Sequence, residues 1–152
     1  MGSFCILTLI GLAMVIVLNI MPVQANSQLI TELQENRELW RSQPINNYQY
    51  TYQQQCFCPS PGNTPLKVSV KNGKITQVID LKTNQAIADL TYPKTIKQLF
   101  QIIAEAIEKK ADEILVTYHP TLGYPTRIAI DYRKMLADDE VTYTVENLSK
   151  LN

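Results

Sequence analysis

The pair Cys56 and Cys58 offers a choice between a disulfide, a redox centre and a soft-metal site. In an extended strand, residues i and i+2 stand about 6.6 Å apart, near the upper limit for a bridge. A disulfide here therefore requires a bend and carries strain, which eases reduction. No basic residue flanks the pair to depress a thiol pKa, so the spacing points to a local staple of the Pro59–Pro65 loop rather than a reactive thiol. A metal held by both thiolates would need further ligands, and His119 and Met135 are the His and Met beyond the leader described below.

Asp131, Asp138, Asp139 and Glu140 form the densest run of carboxylates. Hard oxygens converging from one loop suit calcium, although the spacing lacks the glycine of an EF-hand loop. The simpler expectation is a charged turn, answered by Arg127, Arg133 and Lys134. His119 precedes Pro120 in a turn and has no nucleophile arranged with it in a known motif. No phosphate loop, dinucleotide fingerprint or catalytic triad signature occurs, and no residue is singled out as catalytic.

These residues are positioned by an alternation of helical and strand patterns. Residues 26–42 carry Leu29, Leu33 and Trp40 on one helical face, with Asn26 or Ser27 able to cap the first turn and Pro44 ending the helix. Tyr48, Tyr50 and Tyr52 alternate with amides and Thr51, the period of a strand. They read as a half-buried face with hydroxyls toward water, or as an aromatic binding strip. Leu66–Lys71 and Lys74–Leu81 flank Asn72-Gly73, a type I′ hairpin signal. Thr95 and Gln98 form a capping box before the apolar stripe Ile96, Leu99, Phe100, Ile103 and Ile107, which ends at Lys109-Lys110. Three further strands follow, over Ile114–Tyr118, Thr126–Tyr132 and Val141–Val145.

The halves echo each other. Thr51-Tyr52, a turn with Gly62, and Pro65–Val70 parallel Thr117-Tyr118, a turn with Gly123, and Pro125–Ile130. The pattern predicts an α+β fold of two helix-plus-three-strand units, in an antiparallel sheet with both helices on one face. Equivalent loops would then leave one edge together and build a binding surface from Phe57, Tyr118, His119, Gly123 and Tyr124.

Length and charge bound the rest. The 152 residues suit one α+β domain over 26–152 after a leader. Lys plus Arg and Asp plus Glu are 14 each, a balance that disfavours nucleic acid and anionic lipid as partners. Phe4–Ile20 is almost unbroken apolar sequence, and Val23 and Ala25 fit a signal-peptidase site, so 1–25 read as a signal peptide. The n-region lacks Lys and Arg, which keeps an uncleaved membrane anchor as the alternative. Cys5 would leave with the leader. The compartment is then extracytoplasmic, periplasmic or secreted, where a disulfide persists.

Asn36-Arg37-x-Leu39-Trp40, Tyr48-x-Tyr50, Cys56-Phe57-Cys58-Pro59, the run Tyr118-x-Pro120-x-x-Gly123-Tyr124-Pro125-x-x-Ile128-x-x-Asp131, and Asp138-Asp139-Glu140 resemble a family of exported bacterial proteins filed as a domain of unknown function. The resemblance implies a small α+β domain outside the cytoplasm and brings no activity with it. The resulting expectation is a non-enzymatic binding or accessory protein contacting a protein or envelope component. The alternative is a metal-binding or redox protein using Cys56/Cys58 or the Asp131–Glu140 corner.

Overall fold

A computed structural model of the chain describes residues 21–57, 63–136 and 139–151, with side chains from Asn26 onward. The order is α1 (Met21–Arg41), β1 (Tyr48–Cys56), β2 (Leu66–Lys71), β3 (Lys74–Asp80), α2 (Ile96–Glu108), β4 (Glu113–Tyr118), β5 (Pro125–Asp131) and β6 (Glu140–Lys150). The strands form one six-stranded sheet in the order β3-β2-β1-β6-β5-β4, antiparallel at every pairing. The fold is α+β, each helix preceding a three-strand meander. α1 touches α2, and α2 touches β4 and β5.

The local signals act as their chemistry dictates. Thr95 Oγ1 accepts from the Gln98 N–H and Gln98 Oε1 accepts from the Thr95 N–H, so the capping box opens α2. Asn72 and Gly73 both take positive φ and turn β2 into β3. α1 departs from expectation: the chain is already helical at Met21, so Asn26 and Ser27 lie inside the helix rather than at its cap.

Tyr48, Tyr50 and Tyr52 are buried, not half-buried, and their hydroxyls turn inward. The Tyr48 oxygen accepts from the Ile96 N–H, the Tyr50 hydroxyl donates to the Lys94 carbonyl, and the Tyr52 hydroxyl donates to Gln54 Oε1. Leu66, Val68, Val70, Ile128, Ile130 and Val145 complete the sheet side of the core, against Ile96, Leu99, Phe100 and Ile103 of α2. The alternate residues form a polar face, on which Gln53, Thr144, Arg127 and Thr117 stand in one cross-strand row.

Strand direction corrects one expectation. β1 is antiparallel to β6, β6 to β5 and β5 to β4, so β4 runs opposite to β1. The β1–β2 and β4–β5 connections therefore leave opposite ends of the sheet, and Phe57 does not share an edge with the 119–125 turn. Cys56 lies across from Val141 and shares its end with the β5–β6 connection.

Candidate binding groove between the helices

The 119–125 turn serves α1 rather than solvent. His119 Nδ1 accepts from the Leu122 N–H at 3.2 Å and the Thr121 N–H at 3.4 Å, while the Gly123 N–H donates to the His119 carbonyl at 2.8 Å. The imidazole stacks on Tyr124 with centroids 4.9 Å apart, and Tyr124 meets the Trp40 ring edge-on at 5.9 Å. Gly123 and Tyr124 are buried. Tyr118 is half-buried and stacks on Phe100 at 6.3 Å; burial pushes its phenol up to about 12. Of the residues expected to form a binding surface, Phe57 is 83 % exposed, and it sits at the other end of the sheet.

At that other end, Asn63 ties the returning loop to β1. Its side-chain oxygen accepts from the Cys56 N–H at 3.3 Å, its N–H donates to the Gln54 carbonyl at 2.7 Å, and its carbonyl accepts from Gln53 Nε2 at 3.0 Å. Cys58 and residues 59–62 lie outside the described residues, so the pairing of the cysteines does too. The acidic corner is wider than its sequence run, because Glu113, Asp131 and Glu140 occupy one cross-strand row. Asp131 accepts from the Arg133 N–H at 2.9 Å, Asp112 accepts from the Lys134 N–H at 2.8 Å, and Lys134 Nζ stands 3.2 Å from Glu113. Asp138 lies outside the described residues. Among the described residues, no three His, Cys, Asp or Glu side chains converge as a metal-ligand set.

A recess lined by cations lies elsewhere. A cavity of about 480 Å³ opens between the C-terminal half of α1, residues 43–46 and the first turns of α2. Two triplets face each other across it: Arg37, Trp40 and Arg41 on α1, and Lys97, Phe100 and Gln101 on α2. Both follow i, i+3, i+4 spacing, which places all three side chains on one helical face. Gln43, Ile45 and Asn46 close the end where Pro44 turns the chain out of α1.

Charge distinguishes this cavity. Arg37, Arg41 and Lys97 line it, and among the described residues no carboxylate does. Arg37 is held in place: one Nη donates to the Phe100 carbonyl at 3.2 Å and the guanidinium lies 5.8 Å above the Phe100 ring. Its Nε is buried with no hydrogen-bond partner. Arg41 lies 3.3 Å from Glu38, an exposed pair that holds the guanidinium weakly. Trp40 is fixed from behind by Tyr48, edge-on at 5.5 Å. The arrangement offers one fixed and two exposed cations beside the Trp40 ring, which suits an anion carrying an apolar face.

Trp40 and Phe100 pack as their sequence pattern requires, Phe100 within the core and Trp40 against it, while Arg37 stood in the sequence only as part of a motif without a role. The signal was the repeated cation-x-x-aromatic spacing, Arg37 to Trp40 and Lys97 to Phe100, 60 positions apart on the two helices.

A comparison with curated proteins finds no match. Residues 32–150, which hold the groove, the tyrosine strand and both meanders, match a family profile. The chain belongs to DUF6174, a family of unknown function.

Proposed function

We propose that the chain is an extracytoplasmic, non-enzymatic binding or accessory domain of the cell envelope, and that it holds an anionic ligand in the groove between α1 and α2. One observation carries this reading: three cations line a cavity walled by Trp40, no carboxylate lines it among the described residues, and Arg41 alone has a carboxylate partner, the exposed Glu38. In a chain of zero net charge, such local segregation concentrates anions at one place without making the whole surface sticky. Binding is favoured over catalysis because the lone histidine spends its Nδ1 acceptor on the backbone of its own turn. Within this reading 1–25 are removed on export and Cys56 and Cys58 form a disulfide that staples the 59–65 loop.

Trp40 is the single tryptophan, so its fluorescence reports on the groove. Titration with phosphate, glucuronate, hexagalacturonate and hexaglutamate should change the Trp40 emission for at least one probe. The double variant Arg41→Glu with Lys97→Glu should abolish that response while its melting temperature stays near the parent's, since both side chains reach solvent. No response to any probe, or an equal response in the double variant, overturns the groove as the site. The exported protein should begin at Asn26 and weigh two hydrogens less than its reduced form. An intact Met1 or a pair of free thiols would sink the corresponding part of the reading.

A further inference from the structure

The groove does not end at the first cavity. A second one, of about 470 Å³, adjoins it on the far side of α2, and Lys97 and Gln101 line both. Residues i and i+4 of α2 thus form a saddle with one cavity on each flank. On the far flank Lys74, at the start of β3, supplies another cation, and again no carboxylate lines the space among the described residues. Four cations, Arg37, Arg41, Lys97 and Lys74, are spread along the combined groove rather than gathered around one point.

We infer that the groove binds an acidic oligosaccharide laid across α2, with several uronate-type sugars occupying both cavities; this rests on the anionic-ligand reading above. Spaced cations match a ligand whose charge repeats along its length, whereas a lone phosphate would call for cations converging on one spot. Asn46 and Gln101 present amides, which both donate and accept and so pair with ring hydroxyls, while Gln43 donates to the Leu39 carbonyl and keeps its side-chain oxygen as an acceptor. Trp40, half-buried at the cavity wall, gives the C–H face of a sugar ring an apolar surface at one end. An acidic peptide also meets those amides through its backbone, but it brings no sugar-ring C–H face to Trp40.

The test compares chain lengths and ligand classes on the full exported protein. Glucuronate, digalacturonate, hexagalacturonate and hexaglutamate are titrated by calorimetry against the parent and Lys74→Glu. Affinity should rise from the monomer to the hexamer. Lys74→Glu should weaken hexagalacturonate by about tenfold or more and leave glucuronate, which fits the first cavity, unchanged. Hexaglutamate should bind more weakly than hexagalacturonate. Equal affinity for monomer and hexamer, or indifference of the hexamer to Lys74→Glu, removes the extended site while leaving a single-anion pocket standing. Hexaglutamate binding as tightly as the sugar assigns the groove to acidic peptides and overturns the saccharide class. If none of the four binds, the saccharide class falls, and the anionic-ligand reading falls with it when phosphate also fails to bind. Because Lys74 is an exposed residue beside a two-residue turn, a matching melting temperature is expected and separates lost binding from lost folding.

Discussion

A β-carbon added at Gly123 would stand 2.5 Å from the Asn36 carbonyl oxygen and 2.9 Å from Leu39 Cβ, at a φ of +74°. Both the contact and the backbone angle exclude a side chain. Gly123→Ala should therefore cost at least about 2 kcal/mol in urea unfolding, because the turn must lift off α1 and take Tyr124 from Trp40. A negligible loss would show that the turn does not clamp the helix. Tyr118 provides the opposite case. Its hydroxyl is buried without a hydrogen-bond partner among the described residues, so Tyr118→Phe removes an unmet polar group and keeps the ring stacked on Phe100. The variant should be neutral or more stable by up to about 1 kcal/mol; a clear loss of stability would mean the hydroxyl has a bonding role. At this scale sequence reading was half successful. The alternation Tyr48, Tyr50, Tyr52 specified one face of a strand, but whether phenols meet water or protein depends on what covers the strand. That information lies in Lys94 and Ile96, more than 40 positions along the chain.

Helix α2 shows what local chemistry makes legible. Its capping box and apolar stripe define the start and the buried face, and its end is a Schellman motif: Ala111 N–H donates to the Ala106 carbonyl and Lys110 N–H to the Ile107 carbonyl. Lys110 sits in that motif at φ +55°, a position glycine occupies without strain. Lys110→Gly should stabilise the domain by about 0.5–1 kcal/mol, read as a higher urea midpoint with an unchanged slope. A lower midpoint would mean that the lysine side chain contributes more than its backbone costs. The β2–β3 hairpin was legible for the same reason, since two adjacent residues contain its whole instruction. The start of α1 was not, because Asn26 and Ser27 are competent caps that a helix continuing back to Met21 leaves unused. Strand order was also hidden. Pairing β1 with β6 joins residues nearly a hundred positions apart, and it sets β4 against β1 in direction. Two loops that look equivalent along the chain consequently leave opposite ends of the sheet. β6 continues to Lys150 through a register shift in its pairing with β1, with Asn147 there at φ +54°, which a period-two pattern alone cannot foresee.

Across the whole molecule, a balanced composition conceals an uneven distribution. Glu113, Asp131 and Glu140 share one row near the Cys56 end of the sheet, whereas Arg37, Arg41, Lys97 and Lys74 line the groove. Each charge was visible in the sequence, but their segregation arises only when α1 and α2 pack together. The buried tyrosines add a property of the entire core. Burial pushes the Tyr48 phenol from its ordinary 10.0 up to about 12, against a smaller lowering by the Ile96 N–H. It also pushes Tyr143 up to about 12 and raises Tyr50 and Tyr52 well above their ordinary value. The sign follows from proton binding. Above pH 10 the unfolded chain releases these protons while the folded chain keeps them, so stability falls as pH rises. Tyr48 alone should remove about 1.4 kcal/mol per pH unit between about pH 10 and 12. Tyr143 contributes less because solvent reaches it and screens the penalty. Below pH 10 both states are protonated and the effect vanishes. Urea midpoints measured through alkaline pH should therefore hold level and then drop steeply above pH 10, with tyrosinate absorbance appearing together with unfolding. Ionisation of all the tyrosines near pH 10 in the folded protein would show that the strand of phenols is open to water.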